Sequence, residues 1–187
     1  MGILKKIWNF IWHDNSVWSW LVNVILAFVL VKFVIYPGLG FLLHTTHPVV
    51  AVMSSSMEHN GDFNSWWEEK GRWYEDNNFN IEDVKKWSFK NGFNKGDIMV
   101  LKGVKFENIE VGEVVVYNAN RAEPIIHRVV KKERDYLQTK GDNNNGLIDF
   151  ENRVEGKQII GKGVFRLPLL GWVKIGFVNL ISYFRGG

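Results

Sequence analysis

The chain begins with two apolar stretches of different pattern. Over residues 3–12, Ile3, Leu4, Ile7, Phe10 and Ile11 recur at helical spacing, with Lys5 and Lys6 among them. This predicts a short amphipathic helix suited to a membrane surface, with a frayed tail as the plain alternative. From Val17 to Ile35 the chain is almost continuously apolar, interrupted by Ser19, Asn23 and Lys32. A helix needs ~20 such residues to cross a hydrocarbon core of ~30 Å, so a transmembrane span is expected here. Trp18 and Trp20 near one end suit an aromatic belt, and Lys32 near the other can snorkel to the interface. A cleaved secretory signal has a shorter apolar region, ~7–15 residues, ending in small residues. Tyr36-Pro37-Gly38 and the apolar residues 39–43 fit that poorly, which favours a retained anchor. Lys5 and Lys6 precede the span, and no Lys or Arg follows it until Lys70. That bias predicts a cytoplasmic N-terminus and a domain on the extracytoplasmic or lumenal face, with Lys32 weakening the bias slightly.

Beyond the span the pattern changes to short β runs: 48–53, 97–102, 113–117, 124–131, 136–139 and 158–166. Their Val and Ile content and the Gly or Asn breaks between them predict a mainly β, antiparallel domain. Residues 62–93 break the pattern. Trp66, Trp67, Trp73 and Tyr74 lie at helical spacing among Glu and Lys, and Asn80 followed by Ile81-Glu82-Asp83-Val84 is a helix start. A helical insertion is expected, its Trp residues forming a private core or, alternatively, a platform touching lipid or substrate. The tail 167–184 is apolar again, broken by Pro168, Gly171, Lys174 and Gly176, which suits a short helix at the membrane surface more than a second span. The expected organisation is a cytoplasmic tail or interfacial helix at 1–16, and an anchor with a juxtamembrane segment at 17–43. A β domain follows at 44–174, with its insertion at about 59–95, and then an apolar membrane-associated segment at 175–187.

Composition narrows the function. Of 187 residues 46% are hydrophobic, enough for a core, and the formal charge is only +3 from 23 basic and 20 acidic residues. No basic patch with interleaved aromatics stands out, so nucleic acid is not an expected partner. The absence of cysteine excludes disulfides, Cys-based zinc sites and a thiol nucleophile. No metal site is apparent and no cofactor is implied.

The candidate chemistry lies in separated segments: Ser54-Ser55-Ser56-Met57-Glu58, Ile126-His127-Arg128-Val129, Lys140-Gly141-Asp142-Asn143-Asn144, and Asp149. Serine needs a base to take its proton, usually an imidazole oriented by a carboxylate. Of the five histidines, His59 and His127 are the plausible bases. His127 sits in an apolar strand that would fix its direction. Alone, a strand histidine is more often structural, adjacent serines mostly make loops, and Gly-Asp-Asn-Asn is a turn.

In their joint order these segments resemble type I signal peptidases, in the form found in archaea and in the catalytic subunit of the endoplasmic reticulum complex. The resemblance runs from the anchor to about Lys174, with residues 59–95 as an apparent insertion. Lys95-Gly96-Asp97-Ile98, Gly161-Lys162-Gly163-Val164-Phe165 to Pro168, and Gly171-Trp172-Val173 extend it. It implies a membrane-bound serine endopeptidase that removes signal peptides from exported precursor proteins. Ser56 would be the nucleophile and His127 the general base. Asp149 would orient the imidazole, with Asp142 supporting it or exchanging roles. Ser54 would contribute a hydroxyl to the oxyanion hole, and Met57 would line the substrate pocket. The implied partners are precursor proteins and the lipid bilayer, with the need for accessory subunits left open. Two departures stand out: Ser55 replaces the family's usual Gly, and His59 replaces its usual Pro and becomes a rival base. Lys102 and Lys105 are weaker rivals, as bases of a Ser-Lys dyad. Two further readings stay open: a non-catalytic tethered β module that captures a partner through its Trp-rich insertion, and a specialised peptidase processing surface or pilin-like proteins.

Overall fold

The computed structural model describes residues 2–177. It divides between Leu42 and Leu43 into two compact units. The first unit begins with the amphipathic helix α1 (Ile3–Trp12). Ser16 then caps α2 (Val17–Leu30) by accepting from the Ser19 N–H at 3.2 Å. The polar residues of the apolar stretch are used against α1: Ser19 Oγ donates to the Phe10 carbonyl at 2.6 Å and Asn23 Nδ2 to the Ile11 carbonyl at 2.9 Å. Their polarity is thereby satisfied inside an otherwise apolar helix.

The helix does not stop at Tyr36-Pro37-Gly38. A π turn at Val31–Ile35 leads into α3 (Tyr36–Leu43), giving 27 continuous helical residues from Val17 to Leu43. Proline lacks an N–H and crowds the carbonyl four residues back, and a π turn just upstream is one way a helix accommodates both. The continuous helix is about 40 Å long at 1.5 Å per residue, ample for a hydrocarbon core.

The second unit is mainly β. Among the described residues, seven antiparallel strands pair in the order β1-β2-β7-β3-β4-β5-β6. They are β1 (Val49–Ala51), β2 (Ile98–Lys102), β3 (Val114–Tyr117), β4 (Ile125–Lys132), β5 (Tyr136–Lys140), β6 (Val154–Glu155) and β7 (Ile159–Leu167). Both faces of β3 are covered: Val114 and Val116 join Val52, Met57 and Met99 in one cluster, and Val115 and Tyr117 join Ile109, Val129 and Leu137 in another. That explains why β3 is apolar at every position rather than alternating.

The insertion carries α4 (Phe63–Asp76), capped by Asp62, and α5 (Ile81–Val84), capped by Asn80. Its aromatic residues form a third cluster that also takes in Val130 of β4 and Leu147. The aromatic core expected of the insertion is present, but it is shared with the β domain rather than private. In the tail, residues 172–177 are helical; the remainder of the apolar segment expected at 175–187 lies outside the described residues.

Candidate active site

Ser56 sits in the turn that follows β1 and, among the described residues, β1 pairs only with β2, so the turn lies at the sheet's edge. The turn is tied down by backbone bonds. Asn143 N–H donates to the Ser56 carbonyl at 2.8 Å, Asn143 Nδ2 to the Ser55 carbonyl at 3.1 Å, and Phe93 N–H to the Met57 carbonyl at 3.0 Å. Ser55 is not among the residues with left-handed backbone, so this turn does not require the glycine usual in the family. Ser54 Oγ lies 3.0 Å from Ser56 Oγ.

His127 comes from the middle of β4, opposite Val115 of β3. Successive strand residues point to opposite faces. His127 therefore faces the site while Arg128 turns to the other side, towards the insertion. The imidazole is buried, and its Nε2 stands 2.9 Å from Ser56 Oγ.

The carboxylate behind the imidazole is Glu151. Its Oε1 lies 2.6 Å from His127 Nδ1. The oxygen sits off the N–H axis, so Nδ1 has no well-directed hydrogen bond in this state. Such contacts often align only once substrate is bound. Glu151 is itself fixed: Oε1 accepts from the Gly141 N–H at 2.9 Å and Oε2 from the Ile148 N–H at 2.6 Å.

Neither aspartate expected at this place occupies it. Asp149 opens the 3₁₀ turn Asp149–Glu151 and is exposed, while Glu151 at the end of the same turn is fully buried. Asp142 is buried on the other side of the loop, where Arg128 grips its carboxylate through Nε at 2.9 Å and Nη2 at 2.7 Å. Burial alone would raise its pKa, but Arg128 and the bond from His59 outweigh it and hold the carboxyl well below the usual range. Sequence reasoning missed Glu151 because it weighed only the aspartates. Two acids in the pattern Asp-x-Glu do not reveal which one a short turn buries.

Met57 is buried, accepts a long 3.4 Å contact from the Asp142 N–H at its sulfur, and lines a pocket of about 40 Å³ with Ser54, Ser56, Ile126 and His127. The rival base His59 instead bonds Asp142 at 3.1 Å. Lys102 and Lys105 line a different cavity, beside His44 and Lys162. Lys140 is buried as well. Its ammonium donates to the Gly141 and Asn144 carbonyls at 3.0 and 2.7 Å, and lies over the Trp73 and Tyr74 rings. Burial pushes its pKa down to about 8, against the opposing pull of Asp142 and Glu151. Trp66 is buried and Trp67, Trp73 and Trp87 are half-buried in the insertion's aromatic cluster.

The sequence is 30% identical over 154 residues to the signal peptidase complex catalytic subunit SEC11 of Metarhizium acridum, covering 76% of this chain and 71% of that protein. It is 30% identical over 178 residues to the same subunit of Tuber melanosporum, covering 83% of this chain and 78% of that one. The chain belongs to the SEC11 signal peptidase family. No protein-family model matches the chain. The SEC11 subunit of Yarrowia lipolytica is 29% identical over 172 residues, covering 83% of this chain and 77% of that protein. Membership makes the chain a hydrolase of the signal peptidase class. As a SEC11 family member, it is similar to its relatives over a stretch too long to be confined to the serine turn and the histidine strand.

Proposed function

We propose that this protein is a membrane-anchored serine endopeptidase that removes N-terminal signal peptides from exported precursor proteins. Ser56 is the nucleophile, His127 the general base and Glu151 the carboxylate that orients it. The observation that carries this reading is the 2.9 Å approach of His127 Nε2 to Ser56 Oγ, made by residues 71 positions apart in the chain.

The substrate leaves the lipid extended and pairs with the free edge of β1, so backbone hydrogen bonds present its scissile carbonyl to Ser56. The pocket of about 40 Å³ beside Met57 holds only a few water molecules, which suits an Ala or Ser side chain and excludes larger ones. That matches the small residues of signal cleavage sites. His127 takes the Ser56 proton as Oγ attacks the carbonyl. The oxyanion is met by the Ser54 hydroxyl and the Ser56 N–H, donors of a kind worth ~2.7–4 kcal/mol each in the transition state. His127 then returns the proton to the leaving amine; in the second half a water molecule, deprotonated by His127, attacks the acyl carbonyl, and His127 passes that proton to Ser56 Oγ as the acyl–oxygen bond breaks and the carboxyl product leaves. Glu151 stabilises the imidazolium in both steps. The relatives are named as subunits of a signal peptidase complex; accessory subunits for this chain are a natural extension of that name.

Cleavage of a full-length precursor by the detergent-solubilised protein tests the reading. Ser56→Ala and His127→Ala are each expected to remove activity, by a factor of ~10³ or more. Full activity in Ser56→Ala refutes the mechanism. His127→Lys is expected to fall far below wild type, because lysine acts as a base at neutral pH only when strongly desolvated.

A further inference from the structure

Asp142 is held at every polar atom. Oδ1 accepts from Arg128 Nε at 2.9 Å and from the Tyr74 hydroxyl at 3.0 Å. Oδ2 accepts from Arg128 Nη2 at 2.7 Å and from His59 Nε2 at 3.1 Å. The Asp142 carbonyl accepts from Trp66 Nε1 at 3.1 Å, and its N–H points at Met57 Sδ at 3.4 Å. His59, Trp66 and Tyr74 all belong to the inserted segment. The His59 ring stacks flat on Trp66, with centroids 4.0 Å apart and planes at 2°, which fixes the direction of its Nε2–H. The same segment braces Arg128, whose guanidinium donates to the Ser88 and Phe89 carbonyls at 2.7 and 3.2 Å.

Asp142 makes no hydrogen bond to Ser56 or His127, but its neighbours in the chain hold the groups around them. Gly141 N–H donates to Glu151 Oε1 at 2.9 Å, and Asn143 N–H donates to the Ser56 carbonyl at 2.8 Å. A clamp on Asp142 therefore fixes, one residue to each side, both the carboxylate behind the imidazole and the turn that carries the nucleophile. A core-filling insertion would need only apolar contact. This one places three directed donors on a single residue of the catalytic loop.

We infer that His59, Trp66 and Tyr74 are positioning residues: the helical insertion is a brace that sets the 141–143 loop, and through it the spacing of Ser56, His127 and Glu151. The inference rests on the Ser56–His127 reading of the site for its effect on rate, but not for its effect on the loop. Removing one donor from a buried carboxylate leaves it under-solvated, and the loop moves to recover the loss. A shift well below 1 Å costs rate where near-attack geometry matters.

The test uses the full chain in detergent. Tyr74→Phe removes one oxygen, and His59→Phe keeps a ring on Trp66 while losing the donor. Each is expected to lower kcat about tenfold with KM within twofold, as expected for loss of one charge-assisted hydrogen bond. His59→Gln, which restores an N–H donor, is expected to recover much of that loss. Amide hydrogen exchange is the independent readout: Gly141 and Asn143 should exchange at least tenfold faster, with Val115 and Val116 in β3 unchanged. Wild-type kcat together with unchanged exchange at Gly141 and Asn143 overturns the inference. So does acceleration spread evenly over the domain, which marks a merely structural role. Activity in Ser56→Ala overturns the reading of the site instead, and leaves the exchange result to decide whether the insertion braces the loop.

Discussion

At the scale of single residues, the acid behind the imidazole separates what side-chain chemistry shows from what a turn decides. Ser56 and His127 were legible because their segments carry a distinctive order and each has a local environment, a turn and an apolar strand, that aims it. Glu151 was not. It lies two positions beyond Asp149, and only the 3₁₀ turn buries one and exposes the other. The two acids can be told apart by isosteric substitution. Glu151→Gln keeps the shape but cannot stabilise an imidazolium, and an amide there can hold the ring in the wrong tautomer. A fall in kcat of ~10²–10⁴ is expected, of the order seen when a triad carboxylate becomes an amide. Asp149→Asn should stay within about twofold of wild type, because surface substitutions away from the site have small effects. Steady-state cleavage kinetics on both variants check this, and the reverse ranking would return the role to Asp149.

At the scale of elements, six of the strands were readable from Val- and Ile-rich runs broken by Gly or Asn, with boundaries displaced by a residue or two. Strand β6 was not, because Val154–Glu155 is two residues long and is defined only by its partner β5. The anchor helix was also longer than its apolar run suggested, since a π turn carries it past Pro37. Asn80 announced α5, because a cap is a local device. What no local signal announced is that the insertion docks on the loop after β5.

That docking buries Lys140, which gives a pH dependence of known sign. Its folded-state pKa of about 8 lies below the ordinary lysine value of 10.5. Between those values the unfolded chain binds the extra proton, so this lysine makes stability rise with pH across the window. Above about pH 10 the phenols act the other way. Burial raises the pKa of both Tyr74 and Tyr117, so the folded chain keeps protons that the unfolded chain releases. The melting temperature of the wild type, measured relative to Lys140→Met, is expected to climb from pH 8 to pH 10. A flat difference would show that Lys140 titrates normally in the folded protein.

At the scale of the whole molecule, the proposed reaction depends on which side of the bilayer carries the β domain. Precursors present their cleavage sites only after crossing, so a cytoplasmic domain could not meet them. The charge distribution argues for the outer face: Lys5 and Lys6 precede the helix Val17–Leu43, and the next cation after Lys32 is Lys70. The absence of cysteine makes this directly measurable, since any introduced thiol is the only one in the chain. Glu82 is exposed on α5 and Gly2 is exposed ahead of α1. With a membrane-impermeant maleimide confined to the extracytoplasmic or lumenal side of sealed membranes, Glu82→Cys should be labelled and Gly2→Cys should react only after the membranes are opened. Replacing both Lys5 and Lys6 with Glu should weaken the bias and produce a mixed population, with signal peptide cleavage falling in proportion to the inverted fraction. Labelling of Gly2→Cys and protection of Glu82→Cys would put Ser56 on the wrong side of the bilayer for exported substrates, however well it is aligned with His127.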